Sequence, residues 1–519
     1  MKIRIFGFLV SLILPLLLVA QTDTVMTIGP NDSIVIVVDS LVVIEELVTE
    51  GEAVHEEKPV SLEWNGYLMT DDRIRIDGLK LNWQEYRFDL RSQLRLGDRA
   101  RFYGELWVRG IRFPGISSAS DLSFTNKILP IDIDIRELYA DIYGLFTKNL
   151  DVRIGRQRIA WGTGDRFNPT DNLNPYDLED IWDFGRHLPS NALQLNYYAG
   201  NWTFTAAGIL QFTPSVLPGS DWTPAFMPQA ELPEVIVDST TVPGLSIPVY
   251  ISPGILSDSI VLPQRSLKHS PSFGLKVKRS LGAWEMSLSY VYNRDPLPLL
   301  YRTHTRLTVD TLVISLPDVI YANATADVTA WLRYPVQKIL GFDFAGSLWG
   351  VGLRGEAACI FPEKVMLDQT LHYDAPMLML SRDSVLADSV ALDGKPYVKF
   401  LLGIDYTFKN NIYLNFQYLH GFLHERGSRE LNDYFMLGLD WSLLNSKLKL
   451  SLLNTGLQVG DWKDFAGNYA VMYMPELAWK PVDNAEVTLG AHIIDGKGAS
   501  GFGRVHKNDD VFVRFRFNF

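Results

Sequence analysis

Cysteine is all but absent. Cys359 is the only one in 519 residues, so neither an internal disulfide framework nor a set of thiolate metal ligands is available. Long apolar runs are missing too. Beyond the first twenty residues the densest stretch is SIVIVVDSLVVIEELV at 33–48, and Asp39, Glu45 and Glu46 interrupt it, well short of the roughly 20 apolar residues a spanning helix needs. Helical membrane proteins are thereby excluded. A charged soluble surface is lacking as well: 21% charged and 12% aromatic residues, with mean hydropathy near zero, fit neither disorder nor an ordinary soluble globule.

Signatures of chemistry are equally sparse. No G-x-S-x-G occurs, so a nucleophile elbow has no support. Gly350, Gly352 and Gly355 satisfy G-x-G-x-x-G, but inside an alternating strand with no helix after them. His420 and His424 have a zinc-protease spacing, yet Gly421 stands where that motif needs Glu. The chain is read as no enzyme, with no catalytic residue, no metal and no cofactor. Six acids, Asp165, Asp171, Asp177, Glu179, Asp180 and Asp183, lack the spacing of a known calcium loop and are read as solvated or arginine-paired.

What is present begins with MKIRIFGFLVSLILPLLLVA. Lys2 and Arg4 precede an apolar run from Ile5 to Val19 that ends on Ala20, the pattern of a secretory signal. Residues 21–60 form an acidic extension, nine acids between Thr22 and Val60 against Lys58 alone, expected to be periplasmic. Fewer than 40 residues there are too few for the plug of a TonB-dependent receptor.

From residue 61 a two-residue period takes over. In EYRFDLRSQLRL, Tyr86, Phe88, Leu90, Leu94 and Leu96 alternate with Glu85, Arg87, Asp89, Arg91, Gln93 and Arg95. After the turn signal Gly97-Asp98 the period resumes with Phe102, Leu106 and Val108 against Arg101, Glu105 and Arg109, which makes a hairpin. The chain ends VFVRFRFNF, with Val511, Val513, Phe515, Phe517 and Phe519 on one face. A soluble protein would leave such an apolar terminal strand as a sticky edge, whereas an ending on Phe519 resembles the signal read by the bacterial outer-membrane assembly machinery. Counting strands gives about 18 (16–18), with tight turns after even strands and long gaps after most odd ones, as in outer-membrane barrels. The predicted fold is an all-β, transmembrane antiparallel β-barrel over 61–519, with long outer loops folded into the lumen. At that strand number side chains cannot fill the interior.

The stretch RIGRQRIAWGTGDRFNPTDNLNPYDLED at 153–180 starts as a strand and then becomes a loop turned by Asn168-Pro169 and Asn174-Pro175. Trp161 is read as marking the membrane interface. Arg156, Gln157, Trp161, Gly162, Asn174, Pro175 and Asp177, with Gly155, resemble a signature of the alginate-export barrels and of a related porin-like family of unknown function. Weaker likeness follows in MPELAWKPVDNAEVTLGAHIIDGKG and KNDDVFVRFRFNF. The resemblance implies a monomeric 18-stranded barrel whose motif loop constricts the lumen, and it leaves the substrate open.

If the apolar faces meet lipid, the lumen receives Arg87, Arg91, Arg95, Arg101, Arg109, Arg153, Arg354, Arg514 and Arg516, with Arg99, Lys276 and Lys278. Glu85, Asp89, Glu105, Asp151, Glu285 and Glu356 share that wall, which leaves it about +6. The functional expectation is an outer-membrane channel for passive, selective passage of a hydrophilic, anionic small molecule or oligosaccharide. Two alternatives are uptake of a hydrophobic compound and a structural or adhesive barrel. The expected partners are outer-membrane lipid and the assembly machinery acting through Phe519, with no nucleic acid.

Overall fold

The computed structural model describes residues 60–519 apart from 112, 117, 227–234, 243–244, 265–270, 316–317, 377–379, 386–388 and 499, together with the backbone of Val25–Ile28 and Ile34–Val37, which pair antiparallel. The expected signal at 1–20 and most of the 21–60 extension lie outside the described residues.

Charge is buried and grease is exposed along the first hairpin. Asp89 is 0% and Glu85 1% exposed, whereas Tyr86 is 45% and Phe102 47% exposed. In a soluble sandwich the order would be reversed, so the alternation faces its apolar side outward around a polar interior. Eighteen antiparallel strands close on themselves. They are β1 (Ser61–Arg75), β2 (Lys80–Leu96), β3 (Ala100–Ile111), β4 (Ile131–Ile142), β5 (Leu150–Gln157), β6 (Ser190–Ala199), β7 (Trp202–Ile209), β8 (Ser272–Leu281) and β9 (Trp284–Arg294). The second half is β10 (Val336–Leu348), β11 (Val351–Pro362), β12 (Tyr397–Thr407), β13 (Ile412–His420), β14 (Asp433–Leu443), β15 (Leu448–Ser451 and Thr455–Val459), β16 (Tyr469–Tyr473 and Glu476–Val482), β17 (Ala485–Gly496) and β18 (Asp510–Asn518). β15 carries one more residue between Ser451 and Thr455 than β14 does between Asp440 and Leu437, a bulge. Pro475 interrupts β16 beside it, because it has no N–H to donate.

Closure is made by β18 against β1, from Asp510 opposite Arg75 to Asn518 opposite Tyr67. Phe519 extends the seam, exchanging both backbone hydrogen bonds with Gly66 at 3.1 Å and stacking on Phe88. A Cβ on Gly66 would stand 2.1 Å from the carbonyl oxygen of Asp89 and 2.8 Å from the Phe519 ring, so this position admits only glycine.

Tight turns gather at one end of the barrel and long connections at the other. The turn end carries the exposed aromatics Trp64, Phe146, Trp202, Trp349, Trp441 and Trp479, where amphipathic rings form an interface girdle. At the loop end the connections are more ordered than the expected loops. Segments 235–261, 299–333 and 365–392 supply a separate seven-stranded sheet. Its parallel pairings, Leu245–Val261 with Asp318–Arg333 and Leu299–Ser315 with Val365–Ala375, join connections that follow different barrel strands.

Deleting Phe519, or replacing Gly66 with valine, removes or wedges open the closing seam. Either variant is expected to lose the heat-modifiable fast-migrating band on SDS gels, while the reverse, normal membrane yield of that band, would show that the seam does not govern closure.

Candidate functional site

Residues 158–189 follow β5 and cross the bore instead of standing above it. Asn174 staples the two ends of the crossing together. Its Oδ1 accepts from Ile159 N at 2.7 Å, and its Nδ2 donates to the carbonyls of Gln157 and Leu188 and to Ser190 Oγ. Pro175 adds a carbonyl that accepts from Leu188 N, and Gln157 donates to Ala192 O.

On one wall the crossing is held by Glu356 of β11, which accepts from the backbone N–H groups of Thr163, Gly164 and Thr170 and from Thr170 Oγ1. Gly162, at φ +97°, lets that carboxylate approach, since a Cβ there would lie 2.7 Å from both of its oxygens. Asp165 pairs with Arg354 of the same strand. On the far wall Asp180 binds Arg73 of β1 at 2.5 Å, within a buried group where Asp71 also holds Arg73 and Arg514. Asp177 binds Arg136 of β4 and Arg186, and Glu179 binds Arg109 of β3. Asp171 pairs with Arg158 and Asp183 with Arg186. All six acids of the segment are arginine partners.

Apolar contacts complete the fit. Trp161 is buried against Gly274, where an added Cβ would be 2.6 Å from the indole, and packs with Ile159, Leu173, Ala192, Ala207, Val291, Ile339 and Ala358. Its expected place at the membrane interface is therefore corrected: the indole lies in the bore, where small inward residues such as Gly274, Ala192 and Ala207 leave room for it and Lys276 stands over the ring at 5.7 Å. Trp182 stacks on His492 of β17 at 4.0 Å, and Phe167, Phe184, Phe226, Phe422 and Phe502 cluster beside it from several connections.

The wall arginines are on the inner face but are not free. Arg87 binds Glu85 and lies over the Trp107 ring, Arg91 binds Asp89 and Glu105, and Arg101 and Arg153 share Asp141. Arg354 also reaches Asp405. Arg516 stacks on Tyr67 at 4.0 Å, and Arg95 is exposed near the turn end. Arg156 does not join the group. It is paired in register with Leu138 on the outer face, and its Nε donates to Ile135 O at the rim. Below the crossing lies a cavity of about 820 Å³ whose lining includes seven arginines against ten carboxylates. The surplus of positive charge expected from the wall is cancelled by the wall's own acids, seven carboxylates against four arginines in this lining, while the crossing adds three of each.

Sequence reasoning missed Arg73, Arg136 and Asp71. Arg73 is hard to see because β1 continues through Thr70-Asp71-Asp72-Arg73, four polar residues in a row that hide the two-residue period. The signal that could have located the docking wall is the patch of small inward residues Ala192, Ala207, Gly274, Gly341 and Ala358, in which Ala207 pairs with Gly274 and Gly341 with Ala358.

Within the segment, burial pushes the His187 imidazole down to about 4, from 6.5. Nδ1 lies 2.8 Å from Gly185 O, Arg158 stands 3.2 Å away, and Nε2 is buried without a partner. Burial disfavours the Asp180 carboxylate, but Arg73 outweighs it and holds the group well below the usual range. Both shifts are depressions, so docking is strongest above the ordinary imidazole range and weakens as protons are forced onto the folded state. The stability that neutral, buried His187 contributes is lost as pH falls from 6.5 to about 4. Hydrogen exchange of the 158–189 amides should accelerate across that window relative to the barrel amides, and His187→Gln should flatten the change; a pH-independent profile contradicts this. Asp180→Ala should release the segment at a cost of roughly 3 kcal/mol or more, since Arg73 keeps a buried charge with one partner removed. Protease cleavage confined to 158–189 would register it.

No curated protein matches the chain. Among solved structures it is similar to OmpF of Salmonella typhi in a complex with daunomycin, at 8% identity over 88% of this chain and 98% of that one, TM-score 0.36. It is likewise similar to OmpT, an outer membrane protein of Vibrio cholerae, at 9% identity over 89% and 98%, TM-score 0.36. Neither comparison connects it to the alginate-export barrels. A family model matches residues 115–426, which span the crossing and ten of the barrel strands, β4 to β13, and on that match the chain belongs to the family described as "Protein of unknown function (DUF1302)".

Proposed function

We propose that the protein is a selective outer-membrane channel in which residues 158–189 set the constriction for a small hydrophilic or amphipathic solute. The observation that carries this is the crossing itself, tied to β11 through Glu356 and to β1 through Asp180 and Arg73. A segment anchored on opposite walls narrows whatever passes, and a polar, hydrogen-bonded bore selects by size and by charge. The channel takes no part in covalent chemistry.

The anion preference expected from the wall alone is not retained. Its basis was a net wall charge of about +6, and with ten carboxylates to seven arginines around the cavity the local potential favours cations weakly. Uptake of a hydrophobic compound remains a second reading, favoured by the aromatic cluster of Phe167, Phe184, Phe422 and Tyr434 over the same cavity.

Purified protein in planar bilayers should show stepwise conductance with a reversal potential indicating mild cation preference across a KCl gradient. Deleting 163–183 should raise unit conductance and reduce that preference. Unchanged conductance after the deletion would remove the constriction, and no conductance in either protein would favour the hydrophobic-uptake reading.

A further inference from the structure

Most of the cavity wall is lined by paired charges, but one sector is different. On β14, β15 and β16 the inward positions form horizontal rows, fixed by register. Met436, Gly456 and Met472 are cross-strand partners in one row. Towards the turn end follow Gly438 and Met474, and then Asp440, Ser451 and Glu476, again direct partners. Three methionines thus stand around two glycines, immediately beside two carboxylates, all but Ser451 facing the 820 Å³ cavity.

Gly456 has room for a side chain it does not carry. The nearest atoms to an added Cβ are those of Met472, at 3.9 and 4.0 Å. The methionines are half-buried and pack against the aromatic cluster, so their free sides form a soft apolar recess that adapts to the shape of what enters. Below it, Asp440 accepts from Ser451 Oγ at 2.5 Å and has Lys449 at 3.6 Å. Glu476 has no cationic partner within 4.0 Å among the described residues. An apolar recess next to an unneutralised carboxylate matches a molecule with the same division.

We propose that this sector is a subsite for a small amphipathic cation, its aromatic or alkyl body among Met436, Met472 and Met474 over Gly456, and its ammonium towards Glu476 and Asp440. The choice of a cation rests on charge complementarity. The arginines of β18, beyond β17, are engaged, Arg514 by Asp71 and Arg516 by the Tyr67 ring. The proposal deepens the channel reading by naming the solute class.

Equilibrium dialysis of the refolded full chain in non-ionic micelles tests it with three soluble probes of one body and different heads: phenethylamine, 2-phenylethanol and 3-phenylpropionate. The amine is expected to bind about tenfold more tightly than the other two, a difference of about 1.4 kcal/mol. Glu476→Gln should remove that advantage without altering the alcohol, and Gly456→Leu should weaken all three by filling the recess. Heat-modifiability on SDS gels confirms that each variant is folded, and Glu476→Gln alone decides the matter if Gly456→Leu does not fold. Tightest binding of 3-phenylpropionate, or equal binding of the three probes, overturns the proposal. Conductance without amine binding removes the subsite and leaves the channel, while amine binding without conductance removes the channel and leaves the subsite.

Discussion

Everything in this molecule depends on the absence of water in the bilayer core. With no solvent to hydrogen-bond, each backbone N–H and C=O of a membrane-crossing strand must be paired within the protein, and a sheet meets that condition only by closing. The seam of β18 on β1, extended by Phe519 and Gly66, is where the condition is satisfied. Closure at 18 strands in turn creates a second constraint, because the interior is too wide for wall side chains to fill.

The chain resolves the second constraint with one inserted segment and three kinds of attachment, one of them the β11 carboxylate of Glu356, which accepts the segment's own backbone N–H groups. Where the wall presents charge, on β1, β3 and β4, the segment brings carboxylates to it. Where the wall presents small and apolar residues, on β6 to β11, the segment brings Ile159, Trp161 and Leu173. Buried ion pairs of this kind add little net stability over apolar packing, but they penalise heavily any position of the segment that separates the partners. The arrangement therefore specifies where the crossing sits more than it strengthens the barrel. Of the arginines that looked like a selectivity filter, Arg109 and Arg354 are docking points, and Arg87, Arg91, Arg101, Arg153 and Arg514 pair with carboxylates of the wall itself.

Strand existence was legible in the sequence because a lipid-facing barrel enforces a strict two-residue period. The 18 stretches read from alternation each overlap one observed barrel strand, although β1 and β2 run further out than their patterns indicated. The motif around Asn174 and Asp177 was also legible as a loop directed inward. The interior was not. Alternation shows which residues share a face, but not which partner meets them, so Asp180 and Arg73, 107 positions apart, could not be matched. The assumption that inward positions are polar failed at Val291, Ile339 and Ile360, which face inward and are buried because a second layer of protein covers them. The outer sheet escaped for a related reason: its parallel pairings unite distant connections, and no local turn signal announces them.

The account stands on the segment lying inside the bore against the wall, and a single cross-link addresses that placement. A Cβ on Gly341 of β10 would lie 3.5 Å from Thr170 Cβ, within the range of about 3.5–4.5 Å that a disulfide requires. In a Cys359→Ser background, with Ser289→Ala to clear the Ser289 Oγ that stands 2.3 Å from the added Cβ, Gly341→Cys and Thr170→Cys should oxidise spontaneously to an intramolecular disulfide in the membrane-inserted barrel. Two thiols that both remain open to a bulky maleimide in a heat-modifiable barrel would place the segment elsewhere and contradict the account.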